Sequence, residues 1–218
     1  MYVEPLHLCL AFGPLAVYLI LLGVMNLSSR PFLTTGARDT ATLGVAISGF
    51  VFAGPMELFL PQAASARFGV YVWLLLLGFY ILSMTLLVLL LRPRLVIYNV
   101  TSDQLRPLLA QVVSKLDSDA RWAGESLILP NLGVQLYLEP FATMKNTQLV
   151  SSGPRQNFAG WRKLEIALVE NLKNFPGSPN PYGYSLLFFG LMLTSTVAYC
   201  VIRFPQEVAQ GLREMLGA

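Results

Sequence analysis

Long apolar runs divide the chain into parts suited to different solvents. Between Arg67 and Arg92, residues 69–91 (GVYVWLLLLGFYILSMTLLVLLL) carry neither charge nor proline. A helix needs about 20 mostly apolar residues to cross about 30 Å of hydrocarbon, so this run predicts the clearest span. Residues 6–27 predict a second, with Pro14 tolerated as a kink because neighbouring helices re-satisfy the freed backbone groups. Residues 184–202 predict a third, followed at once by Arg203. Residues 43–61 (LGVAISGFVFAGPMELFLP) are long enough for a fourth, although Pro55 and Glu57 interrupt the second half. Glu57 stands four residues before Pro61, where a carboxylate within a turn of the interface stays solvated. The first run is expected to be a retained span and not a leader, because MYVEP carries Glu4 and no Lys or Arg, and no A-x-A pattern follows.

Between the third and fourth runs the pattern changes. RPRLVIYNV (92–100) is rich in β-branched and aromatic residues and predicts a strand leaving the membrane. Thr101-Ser102-Asp103-Gln104 fits a capping box, and Leu105, Leu108, Leu109, Val112 and Leu116 recur at helical spacing over 102–117. Residues 122–129 and 133–139 flank Pro130-Asn131-Leu132 and predict a hairpin; in its second strand Val134, Leu136 and Leu138 alternate with Gln135, Tyr137 and Glu139. TQLVSS (147–152) predicts a further strand. Residues 160–175 then predict an amphipathic helix with Trp161, Leu164, Leu168, Leu172 and Phe175 on one stripe. PGSPNPYG (176–183) stops it. Past the last span, Val208, Leu212, Met215 and Leu216 recur at helical spacing and predict a short surface helix.

The expected fold is therefore a membrane α-helical bundle of four transmembrane helices with an inserted α+β soluble domain in β-α-β-β-β-α order. Residues 1–91 make a membrane region with three spans, 92–176 the soluble domain, and 177–218 a linker, the fourth span and an amphipathic tail. Composition follows the same division. Residues 1–91 hold six charged residues, residues 92–181 seventeen and residues 182–218 four. Overall the chain is 55% hydrophobic and only 12% charged, against about 25% charged in ordinary soluble domains.

Basic residues near span ends set orientation. With four spans, Arg30, Arg38, Arg92, Arg94 and Lys173 share the side of the soluble block, against Arg67, Arg203 and Arg213 opposite. That bias predicts a cytoplasmic domain and external termini. Arginine outnumbers lysine eleven to four, which points to a GC-rich, bacterial genome and hence a bacterial cell membrane. The net charge of +3, with bases and acids interleaved, argues against nucleic acid as a partner.

Candidate chemistry is sparse. The single histidine, His7, opens the first span, so no serine is paired with a base by sequence. Cys9 and Cys200 lie in apolar stretches and read as small core residues. Asp117 and Asp119 in LDSDAR lack the further carboxylates and glycine of a calcium loop and read as a helix end and turn. Gly153-Pro154-Arg155 lacks the glycine spacing of a phosphate loop, and no cofactor or metal is expected. Two groupings stand out. Glu57 is the one carboxylate inside a predicted span, with Ser48 and Thr194 as hydroxyls that would complete an intramembrane polar site. Arg92 and Arg94, at the end of a span, are candidate headgroup contacts. Gly44-x3-Ser48 is a small-residue pattern for close helix approach.

The expected function is non-catalytic: a multi-pass accessory, assembly or regulatory protein in contact with the bilayer, whose soluble domain binds another protein. The alternatives are a transporter or ion-pathway component using Glu57 and a membrane enzyme acting on lipid.

Overall fold

A computed structural model describes residues 4–53, 69, 71–141, 145–154 and 156–216. The chain divides into two compact units. One holds residues 1–23, 40–89 and 184–218; the other holds 24–39 and 90–183.

The first unit is helical. It takes most of α1 (Pro5–Leu27), α2 (Gly36–Ala53), α3 (Tyr71–Leu90) and α6 (Tyr182–Arg203), with α7 (Pro205–Leu216) closing the chain. Among the described residues three helices, α1, α3 and α6, are long and apolar enough to cross a membrane. Small residues set their packing, as expected where close backbone approach replaces a hydrophobic driving force. A methyl group added at Gly49 of α2 would run into the Leu10 carbonyl oxygen of α1, and one at Gly23 would lie 3.0 Å from the Leu187 nitrogen of α6. Gly190 of α6 answers from the other side, where an added methyl would lie 3.1 Å from the Ile20 nitrogen. The predicted small-residue position Gly44 meets α3, where Tyr80 Oη donates to its carbonyl at 2.5 Å. Most of α3 faces outward: Leu75, Phe79, Leu82, Leu86, Leu89 and Leu90 are all exposed within the chain, as lipid-facing side chains should be.

The second unit is an antiparallel sheet covered by two helices. Its order is β1-β2-β6-β5-β4-β3, from β1 (Phe32–Thr35), β2 (Arg94–Tyr98), β3 (Arg121–Ala123), β4 (Ser126–Leu129), β5 (Val134–Phe141) and β6 (Asn146–Ser151). Period-two alternation places Leu95, Ile97, Leu127, Leu129, Leu136, Leu138 and Leu149 on one face. Against them pack α4 (Ser102–Leu116), through Leu105, Leu109, Val112 and Val113, and α5 (Phe158–Leu172), through Trp161, Leu164, Leu168 and Leu172. Truncating one such fully buried leucine to alanine typically costs about 2–5 kcal/mol. Gly160 lets α5 approach the β4–β5 turn, since a methyl there would strike the Leu132 carbonyl oxygen.

Several predicted elements are present: the capping-box helix, the 130–133 hairpin, the strand near 147–152 and the Trp161 helix, which ends at Leu172 and not at 175. The β-α-β-β-β-α order needs correction. Residues 122–129 form two strands, because Gly124, at φ 63°, turns the chain between Ala123 and Ser126. An additional edge strand, β1, comes from the segment between α1 and α2 and pairs with β2 from Phe32↔Tyr98 to Thr35↔Leu95. Among the described residues the sheet thus has six strands where four were expected. Of the predicted span 43–61, residues 43–53 lie in α2, which begins earlier, at Gly36; the rest lies outside the described residues.

Candidate functional site

The densest buried polar arrangement in the second unit is a junction of three asparagines. Asn26 belongs to the last turn of α1, Asn99 follows β2, and Asn180 precedes α6. Each is almost completely buried. Asn99 adopts a left-handed backbone conformation, φ 62°, which asparagine tolerates better than other non-glycine residues because its short amide bonds locally. Its Nδ2 donates to the carbonyls of Met25 at 2.6 Å and Ser28 at 3.0 Å, with Arg30 at 3.4 Å. The last carbonyls of a helix have no partner within the helix; Asn99 supplies one from another part of the chain. Asn99 Oδ1 is buried and accepts no hydrogen bond among the described residues.

Asn180 completes the junction. Its backbone N–H donates to the Asn26 carbonyl at 2.7 Å and its Nδ2 to Asn26 Oδ1 at 3.2 Å. Its own Oδ1 accepts from the Tyr182 amide, which opens α6. Nearby, Gly177 donates to the Ser29 carbonyl, Ser178 to the Asn99 carbonyl, and Gln104 Nε2 to Ser178 Oγ at 3.2 Å. The end of α1 and the start of α6 are therefore bonded to the same loop of the sheet. The start of α2 is held as well. Tyr98 Oη donates to Asp39 Oδ1 at 2.7 Å, and Arg38 Nη1 donates to Glu165 Oε1 of α5 at 3.0 Å. These groups are amides, carbonyls, a phenol and paired charges. Their chemistry is that of a structural hydrogen-bond network, and none of them is a nucleophile beside a base.

A second polar cluster has a similar role. Asp117 ends α4, and its carboxylate accepts from the backbone amides of Asp119, Asn131 and Leu132 and from Asn131 Nδ2 at 2.7 Å. Burial alone would raise its pKa, but the hydrogen bonds outweigh it and hold the carboxyl below its ordinary range. The helix-end reading of LDSDAR matches this geometry. Among the described residues no group of three or more His, Cys, Asp or Glu is placed to hold a metal ion.

The residues singled out by sequence do not gather into one described site. Glu57 lies outside the described residues. Ser48 Oγ donates to the Val45 carbonyl at 2.8 Å and Thr194 Oγ1 to the Gly190 carbonyl at 2.9 Å, each within its own helix. Ser195 and Thr196 do likewise. His7 Nδ1 lies 3.6 Å from Glu4 Oε2. Arg92 lines an open groove with Pro93 and Phe158, whereas the Arg94 side chain lies against Gly36 at the start of α2. The asparagine junction was missed. The available signals were an asparagine at the end of an apolar run, one between a strand and a capping box, and one in a Pro-Asn-Pro turn before a span.

Comparison with known proteins gives no match: no protein family, no curated protein and no solved structure resembles the chain at a significant level.

Proposed function

We propose that this is a four-span accessory, assembly or regulatory membrane protein whose α+β domain binds another protein on the cytoplasmic side of a bacterial membrane. The pairing of β1 with β2 is the observation that carries the architecture. Hydrogen-bonded strands lie on one side of a bilayer, so residues 32–35 share a side with the domain. If α3 brings the chain back to that side, the chain must have crossed once between Thr35 and Tyr71. Such a crossing would take in α2 and the apolar run at 43–61. The five-to-three basic bias favours the cytoplasm for the domain.

Binding to another protein is supported by the sheet's second face. Near β2 that face is covered, with Val96 only 2% exposed, but at β4 and β5 Ile128 and Phe141 stay open, at 36% and 46%. Both stand on the sheet face that α4 and α5 leave uncovered, about 20 Å apart along β5 at about 3.3 Å per residue, and a partner protein would lie across that face. The test is purification of the detergent-solubilised protein beside an Ile128→Asp/Phe141→Asp variant. A stoichiometric partner retained by the wild type and lost from the folded variant is expected. A wild type that purifies alone, with the same mass as the variant, would overturn the reading.

A further inference from the structure

Within the helical unit α1 and α6 pack antiparallel, and their contacts define a register. Gly23 of α1 meets Leu187 of α6, Ile20 meets Gly190, and the Cys9 thiol donates to the carbonyl of Val197 at 3.9 Å. As the residue number falls along α1 it rises along α6. Residues three apart on a helix are surface neighbours, so Cys200 stands beside Val197 on the side turned to α1. Burial agrees: Cys200 is only 5% exposed, whereas Tyr199, Val201 and Ile202 around it are open. The side chains of Cys9 and Cys200 are hydrogen-bonded to one another. They are the two cysteines of the chain, nearly its whole length apart in sequence, and the fold makes them partners.

The pair also stands near one end of both helices. Cys9 follows Pro5, the first residue of α1, by four positions, and Cys200 precedes Arg203, the last of α6, by three. At about 1.5 Å per residue the two thiols lie about 6 Å and about 5 Å in from those ends, roughly one turn. Cys9 is the more open of the two, being half-buried. A disulfide needs Cα atoms about 4.4–6.8 Å apart, hence backbones that nearly touch. Here the short Cys9 side chain already reaches the backbone of α6.

We propose that Cys9 and Cys200 are a redox pair that closes to an intramolecular disulfide between α1 and α6, by exchange with a disulfide-bearing donor on the side of the membrane that holds the two termini. Cys9 gives its proton to water, and its thiolate attacks one sulfur of the donor disulfide, whose S–S bond breaks and releases one donor thiolate. Cys200 then loses its proton and attacks Cys9 Sγ. The Cys9–Cys200 bond forms, the mixed disulfide breaks, and the second donor thiolate leaves; each leaving thiolate takes up a proton. The two protein thiols lose two electrons and the donor disulfide gains them. Closed, the bond clamps the first and last apolar helices together; open, only side-chain packing holds them. The topology proposed above puts both termini outside, where bacterial thiols meet an oxidising environment. The compartment rests on that reading, whereas the pairing of the thiols does not.

The test uses the full chain expressed in bacteria. Cells are quenched in acid, and free thiols are capped with a maleimide bearing a polyethylene glycol chain, with or without prior reduction. Wild type should take up no adduct before reduction and two after it, while Cys9→Ala and Cys200→Ala should each take up one in both cases. Purified wild type, reduced and then equilibrated in detergent with oxidised glutathione, should become a closed monomer lighter by two hydrogens. Two adducts on that purified, oxidised sample, or a disulfide-linked dimer in place of the closed monomer, would overturn the pairing. A pair that closes in the purified protein yet stays reduced in cells would overturn its external placement, and with it the topology on which the compartment rests.

Discussion

Replacing Asn99 separates two reasons for its presence, the left-handed backbone and the amide. In Asn99→Ala the carbonyl of Ser28 loses its donor, while that of Met25 loses one bond but still accepts from the Ser28 amide at 3.2 Å. An acceptor left without a partner costs about 1–3 kcal/mol and a lost bond about 1, so the two together cost about 2–4. Removing Oδ1, which itself lacks a partner among the described residues, returns about 1–3 of that. Alanine at φ 62° adds about 1 kcal/mol of backbone strain relative to asparagine. With mid-range values the net loss is about 2 kcal/mol. Asn99→Gly loses the same bonds but relieves the strain, and should lose about 1 kcal/mol.

A single unfolding free energy is poorly defined for a chain of two units in a membrane, so the measurement is local. Amide hydrogen exchange at Ser178 and Asn180, which donate to Asn99 and Asn26, should accelerate in the order wild type, Gly, Ala. A loss of about 2 kcal/mol corresponds to roughly 25-fold lower protection, at tenfold per 1.4 kcal/mol. If the glycine variant protects these amides as well as the wild type does, the backbone alone explains Asn99, and the fastening of α1 by its amide is refuted.

The remaining expectations concern three other positions. The Asp117 pKa is lowered from 3.8 in the folded domain, so its stabilisation is fully present above the unfolded value and is lost as pH falls through the folded one. Asp117→Asn should therefore be less stable than wild type at neutral pH, with the difference shrinking below about pH 4; a pH-independent difference in urea melts would contradict this. Gly160→Ala should destabilise the domain by about 1–3 kcal/mol despite alanine's helix advantage of about 1 kcal/mol, because the Leu132 backbone oxygen cannot swing away; a stabilised variant in the same melts would show that α5 can shift. Glu57→Gln should leave expression and partner binding unchanged and should show no pH-dependent cation flux in proteoliposomes, in common with wild type. A wild-type flux that titrates with pH and disappears in the variant would favour a transporter.

What the sequence disclosed followed from strong periodicities. Three apolar runs, the helix stripe of Leu105, Leu109 and Val112, and the alternation of residues 134–138 each repeat several times, so one physical preference outweighs local noise. β1 escaped because FLTT is four residues long, with two apolar positions and no repeat to detect. What makes it a strand is β2, a partner roughly sixty residues away that no local pattern encodes. The split at Gly124 was hidden for the opposite reason: a strong β pattern ran straight through the glycine that turns the chain. The early start of α2 was hidden because Gly36–Asp39 begins it in polar residues engaged with the domain, whereas Pro55 and Glu57 are what weaken the pattern of the fourth span. The asparagine junction was illegible because its members, at 26, 99 and 180, are joined only by the fold. Glu57 stood out by its rarity within an apolar run, yet rarity in sequence says nothing about what surrounds a side chain.

The place of β1 in the chain also sets a timetable for synthesis. Ribosomes add about 5–20 residues per second, so β1 is complete roughly 3–12 s before β2 begins. The third strand of the sheet's centre, β6, comes some fifty residues later still. During that interval β1 is tethered between α1 and α2 with nothing to pair with, and its four residues make it a poor template for a foreign strand. Once β2 appears, the pair forms only a two-stranded ribbon, which is marginal in water without a third strand and a covering helix. A product truncated between Tyr98 and Ser151 would therefore reach the membrane with the apolar runs before residue 92 but without the last one, and with an unfinished sheet. Leu95, Val96 and Ile97, all buried in the finished domain, would then be open to the proteases that remove incomplete membrane proteins.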